Sequence, residues 1–128
     1  TQKIGRIVVG TVKGDIHDIG KNIFIMFAAS AGFDVIDLGV DVPVELFISK
    51  VKELKPDILG MSALMSTTQE YMAIVIEALR KERLRDKVKI ILGGASVSER
   101  FAQQVGADAA VNDAILGVEI CKRWVLSK

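Results

Sequence analysis

The chain alternates short apolar runs with longer stretches of helical periodicity, five times over. Residues 4–12 are apolar and rich in β-branched side chains and stop before Gly14, which predicts a first strand. Over 18–31, Ile19, Ile23, Met26 and Phe27 recur at helical spacing, and Gly32 supplies a C-terminal stop for a first helix. Residues 33–38 predict a second strand, and Pro43, tolerated in a first turn, begins a second helix that runs to about 54. Pro56-Asp57 opens a third strand over 58–62. A third helix is expected from a cap at Ser66, Thr67 or Thr68 to about residue 84. A fourth strand covers 87–92, ended by Gly93-Gly94, and a fourth helix covers 98–105, closed by Gly106. A short strand over 109–111 and a last helix over 113–126 complete the pattern, with no linker, repeat or low-complexity run.

The first, third and fourth strands are nearly continuous apolar runs, the signature of strands buried on both faces of a parallel sheet. Alternation with short connections then gives one α/β domain over 1–128. Its class is Rossmann-like (flavodoxin-like), a doubly wound five-stranded parallel sheet with flanking helices. Ligands of such sheets sit at the carboxyl ends of the strands, at the switch point in strand order. Three unusual segments map to that edge: 14–20, 62–68 and 93–98.

Composition narrows the function. With 128 residues and half of them hydrophobic, a single core forms without staples. Seventeen basic residues against sixteen acidic ones leave no excess of positive charge, so neither nucleic acid nor an anionic membrane is an expected partner. The single cysteine, Cys121, excludes an internal disulfide and fits a reducing compartment, so a cytoplasmic location is expected. No apolar run reaches the ~18 residues of a membrane span. The chain starts almost directly with a strand, without Met and without a signal-peptide pattern, and an upstream part is expected.

The only histidine, His17, stands in the segment Gly14-Asp15-Ile16-His17-Asp18-Ile19-Gly20, two residues after Asp15. A lone loop histidine is most often a surface or capping residue. Here the neighbouring carboxylate favours a second reading, in which Asp15 bonds one ring nitrogen and leaves the other for a metal. Structural zinc wants about four Cys and His ligands, and the chain has one of each, far apart. A site with a single histidine makes sense where a macrocycle supplies the remaining coordination. Asp18 also suits the start of a helix through the macrodipole.

The segment Ser62-Ala63-Leu64-Met65-Ser66-Thr67-Thr68 offers hydroxyls that either cap a helix or extend an Asp15–His17 hydrogen-bond chain and touch a ligand. Gly93-Gly94-Ala95-Ser96 reads either as a tight turn or as one wall of a channel for a long group, with Gly10 clearing room beside it. Neither GxGxxG nor GxxxxGK[ST] occurs. Cys121 reads as buried filler, and the charged run 80–87 as a solvated helix end. There is no nucleophile elbow and no carboxylate pair of glycosidase type.

With these residues the chain resembles the cobalamin-binding (corrinoid) domain family over almost its whole length. Asp15-x-His17-x-x-Gly20 matches the DxHxxG motif, Ser62-x-Leu64 the SxL motif and Gly93-Gly94 the GG motif. The stretches 12–22 and 37–43 are similar to methyltransferase corrinoid proteins and the cobalamin domain of methionine synthase. The tail over 107–114 departs, with Ala109 and Ala110 where relatives often carry glycine and an aromatic residue. The resemblance implies a cobalamin or related cobamide bound base-off, with His17 on cobalt. It implies an Asp15–His17–Thr68 relay, and a nucleotide tail running past Ser62, Gly93 and Gly94. The cofactor-binding set would be Gly14, Asp15, Ile16, His17, Asp18, Ile19, Gly20, Ser62, Leu64, Ser66, Gly93, Gly94 and Ala95. The helical cap domain usual before this domain is absent from the chain. The function implied is a methyl carrier, not a complete enzyme. It would work between a substrate:corrinoid methyltransferase and a methyl-acceptor methyltransferase, its cobalt shuttling between Co(I) and methyl-Co(III). The alternatives are a cobamide-dependent regulator or sensor domain, the cobalamin subunit of a mutase, and a flavodoxin-like domain without corrinoid.

Overall fold

In the computed structural model, which describes residues 2–127, the apolar runs form β1 (Gly5–Thr11), β2 (Phe33–Asp37), β3 (Ile58–Ser62), β4 (Lys89–Gly93) and β5 (Ala109–Val111). Between and after them lie α1 (Ile19–Ser30), α2 (Val44–Leu54), α3 (Glu70–Lys81), α4 (Glu99–Val105) and α5 (Ala114–Leu126). The strands pair in parallel in the order β2-β1-β3-β4-β5. The chain thus winds outward from β1 in both directions, and β1 and β3, side by side, form the switch point. Thr11 pairs with Ser62 and Ser62 with Gly93, so the loops after β1, β3 and β4 leave the sheet at one level. The expected Rossmann-like class is the observed one.

Alternation along the strands divides the core in two. Val8, Leu59, Ile90 and Leu92 pack with Phe47, Met72, Ile76 and Leu79 of α2 and α3. Ile7, Val9, Ile58 and Ile91 pack on the other face with Phe24 and Ala28 of α1 and Val118 and Cys121 of α5. Cys121 is filler, as expected, with its thiol pushed up to about 12 by burial.

The structure corrects three expectations. The stripe that signalled α1 faces outward: Ile19, Ile23, Met26 and Phe27 are exposed, while Lys21, Phe24 and Ala28 are buried. The helix is apolar almost all round, so periodicity reveals the helix but not which side meets the sheet. Second, α3 begins at Glu70 rather than at 66–68, and its N-cap is Gln69 with no side-chain cap bond. The Thr68 hydroxyl is used elsewhere, as described below. The helix also ends early: a 3-10 turn, Arg85–Lys87, follows, and β4 starts at Lys89. Third, the run 80–87 is not uniformly solvated. The Arg85 guanidinium donates to the Gly106 carbonyl (2.7 and 3.0 Å), the Val88 carbonyl (2.9 Å) and Asp108 (3.0 Å), tying the 3-10 turn after α3 to the segment that leads into β5.

Arg85→Ala therefore removes the side-chain donor from the Gly106 and Val88 carbonyls, while Asp108 keeps the Ile90 amide (2.8 Å), and it is expected to lower the unfolding free energy by about 1–3 kcal/mol. Lys81→Ala, at the exposed helix end, should stay within about 0.5 kcal/mol. Urea titration of the two variants checks the difference, and equal small losses would contradict the role given to Arg85.

Candidate functional site

The segment after β1 cannot continue the strand. Gly14 takes a left-handed φ of 84°, which turns the chain so that Asp15 points under the sheet edge and His17 rises beside it. Thr11, buried at the end of β1, secures the far side of the turn through its hydroxyl, which donates to the His17 carbonyl at 3.1 Å.

Asp15 is fully buried, yet both carboxylate oxygens are satisfied. Oδ1 accepts from the His17 amide at 3.0 Å and lies 2.7 Å from His17 Nδ1. Oδ2 accepts from the Leu64 amide at 2.8 Å and from the Thr68 hydroxyl at 2.7 Å. The Thr68 hydroxyl also lies 3.0 Å from the Met65 carbonyl. It has one proton to give, and the charge-assisted bond to Asp15 is the stronger. Burial alone pushes the Asp15 carboxyl up. The Thr68 hydroxyl, the His17 and Leu64 amides and the His17 ring outweigh it and hold the group well below the usual carboxylate range. An anion bonded to Nδ1 keeps the proton on that nitrogen and leaves Nε2 with its lone pair. Nε2 has no protein hydrogen-bond partner among the described residues. The His17 side chain is half exposed.

His17 lines a cleft of about 530 Å³ at the carboxyl edge, between the sheet and the first turns of α1 and α5. Of the predicted residues, Ile16, Asp18, Ile19, Gly20, Ser62, Leu64, Gly93, Gly94 and Ala95 also line it. Gly14, Asp15, Ser66 and Thr68 do not. Asp15 and Thr68 sit behind the ring, Gly14 donates to Asp41, and Ser66 is exposed on the turn before α3. Gly94 has a φ of 134°, and a methyl group there would collide with the Ala63 backbone. Gly20 and Gly93 differ, since a methyl group on either meets no atom within 4 Å, and side chains there would project into open space.

Of the strand glycines, Gly10 lies on the face opposite to the one expected, and Gly60, which was not expected there, lines the cleft. Gly10 opens toward Phe47 and Val42, each about 3.1 Å from an added Cβ, so it serves the α2 side of the core and not the cleft. Gly60, one residue out of phase with it on the adjacent strand, does line the cleft, with Val9 and Ile91 of the same face. Strand alternation applied to a paired register would have found it. Lys21, Phe24, Val111, Asn112, Asp113 and Ala114 were also missed. Asn112 closes that side by donating to the Gly94 carbonyl at 2.6 Å.

No group of three or more His, Cys, Asp or Glu among the described residues could hold a metal ion. The site can offer an ion one imidazole, already oriented, over a cleft with glycine walls.

Comparison with known proteins points the same way. The profile of the B12 binding domain matches residues 5–117. The chain is 45% identical over its full length to dimethylamine corrinoid protein 2 of Methanosarcina acetivorans, of which it spans 59%. It superposes with a TM-score of 0.92 on the crystal structure of a cobalamin-binding protein from Desulfitobacterium hafniense, at 48% identity, covering 94% of this chain and 58% of that one. The methanol:cobalamin methyltransferase complex of Methanosarcina barkeri contains a chain matched at TM-score 0.93 and 31% identity, over 99% of this chain and 48% of that one. The chain thus spans between 48% and 59% of the length of these relatives.

Asp15→Asn replaces acceptors with an amide that must face donors, and it is expected to cost about 1–3 kcal/mol at neutral pH. The folded-state value of Asp15 is depressed, so its contribution is complete above the unfolded value of about 4 and is lost as pH falls through the lower folded value. Urea titrations of wild type and variant at pH 7, 5, 4 and 3 should show the gap narrowing only below pH 5. A constant gap over that range would contradict it.

Proposed function

This chain belongs to the B12 binding domain family, and we propose on that footing that it binds a cobamide base-off, with His17 as lower ligand of cobalt, and carries a methyl group between two methyltransferase partners. The observation that carries this reading is the chain of bonds from Thr68 through buried Asp15 to Nδ1 of a histidine that lines the cleft. A single protein ligand suits an ion whose in-plane coordination comes from a macrocycle. The cobamide, when bound, supplies the centre that accepts and gives up the methyl group.

The chain's own groups hold and orient. Asp15 keeps the proton at Nδ1 and turns Nε2 toward the ligand side, while Thr68 and the Leu64 amide keep Asp15 ionised. Ser62, Gly93 and Gly94 would hold the displaced nucleotide tail along the cleft, where Gly20 and Gly93 leave the walls bare. One partner, a substrate:corrinoid methyltransferase, loads the carrier. A second, a methyl-acceptor methyltransferase, unloads it. Relatives named for dimethylamine and for methanol share this fold, so choice of donor resides with the partner. No helix among the described residues is long and apolar enough to cross a membrane. We assign the carrier to the cytoplasm, where its single thiol stays reduced.

The test is His17→Ala in the full-length protein reconstituted with cobamide. The visible spectrum should lose the signature of an axial imidazole, and methyl transfer should slow by at least about tenfold, the scale of losing support around a metal. An unchanged spectrum together with unchanged transfer removes His17 from the mechanism.

A further inference from the structure

The last residue of β2 and the loop that follows it to α2 grip the His17 segment at both ends. At the near end the Gly14 amide donates to Asp41 Oδ1 at 2.7 Å, and the Asp41 amide donates to the Asp15 carbonyl at 2.9 Å. Flanking bonds extend the grip: the Thr11 amide to the Gly39 carbonyl (2.9 Å) and the Val42 amide to the Thr11 carbonyl (3.0 Å). At the far end Lys21, on the first turn of α1, places its ammonium 2.8 Å from Asp37 Oδ1. The same oxygen accepts from the Gly39 amide at 2.8 Å. The Lys21 side chain is buried, whereas that of Asp37 is 41% exposed, so the tie is covered at its Lys21 end only.

Asp41 has a φ of 51°, a left-handed conformation that strains residues with a side chain and that Asp and Asn tolerate best. Its two bonds, one from the Gly14 amide and one to the Asp15 carbonyl, hold it there. Asp41 thus fixes the backbone of the residue whose carboxylate holds the His17 ring.

We propose that Asp41 is a positioning residue. By clamping the Gly14–Asp15 backbone it sets the tautomer and orientation of His17, with the Lys21–Asp37 pair securing the other end of the same segment. The inference concerns His17 in the free protein and extends to the cobamide through the reading above.

The experiment exploits the fact that the chain has one histidine. Nitrogen-15 spectra of the cofactor-free protein therefore report one imidazole. Wild type should show a ring protonated at Nδ1 alone. Asp41→Gly relieves the left-handed strain, so it folds, but it lacks the acceptor. Its ring shifts should move to averaged values, and cobamide affinity should fall about tenfold. Asp41→Asn keeps both the acceptor and the tolerance of a left-handed φ, and should restore both readouts. Wild-type ring shifts and affinity in Asp41→Gly overturn the proposal, as does an Asn variant that fails to rescue. Electron paramagnetic resonance of the cobalt(II) form with nitrogen-15 histidine judges the function separately. Absence of histidine nitrogen on cobalt in wild type ends the ligand assignment, while the ring shifts of the cofactor-free variants still decide the clamp.

Discussion

One buried carboxylate organises the carboxyl edge of this protein. Asp15 has no exposed surface, and an isolated charge in such a place would be too costly to keep. It survives because four donors from two crossover loops converge on it: two from His17, one from the Leu64 amide and one from Thr68. The loops after β1 and β3 therefore cannot choose their conformations independently. Moving either one strands a charge. The His17 ring supplies one of those donors, so it is held by the same requirement that folds the loops.

The sheet makes that convergence available. Parallel pairing brings Thr11, Ser62 and Gly93 to one level, and the loops that follow them leave from the same edge. The two faces then do different work. Toward α2, α3 and α4 the core is filled, with Phe47 packed against the bare side of Gly10. Toward α1 and α5 the core gives way near the edge to glycine and small residues, Gly60, Gly93 and Gly94 among them, and a cleft opens. Relay and cleft meet at His17, the side chain that belongs to both.

Much of this could be read from residue order. Continuous apolar strands gave a parallel sheet, and the sheet gave a shared edge for the three segments that line the site. The errors have a common physical origin: periodicity locates an element but does not orient one whose faces are equally apolar. Hence α1 presents Ile19, Ile23 and Met26 outward over a buried Lys21. Gly10 and Gly60 were likewise indistinguishable until pairing fixed which face each strand position meets. The start of α3 was misplaced because a hydroxyl next to a helical pattern reads as a cap, whereas the Thr68 hydroxyl stands in the turn before the helix and gives its one proton to the buried Asp15 carboxylate. The grip of Asp41 on Gly14 is a contact across 27 residues, which no local pattern encodes.

The rim of the site carries the last step. Ile16 and Ile19 are 72% and 79% exposed, and Leu64 is 40% exposed, yet all three line the cleft beside the hydrogen-bonded Thr68–Asp15–His17 relay. Apolar side chains clustered around one oriented imidazole are costly on a free surface and useful under a broad apolar plate. A macrocycle seated on His17 would cover them, gaining burial at the rim while the nitrogen beneath supplies direction. Because the ring is already braced by Asp15, and Asp15 by two loops, little ordering remains to be done on binding. On the function proposed above, the protein would thus spend its binding energy on holding the cofactor in one orientation.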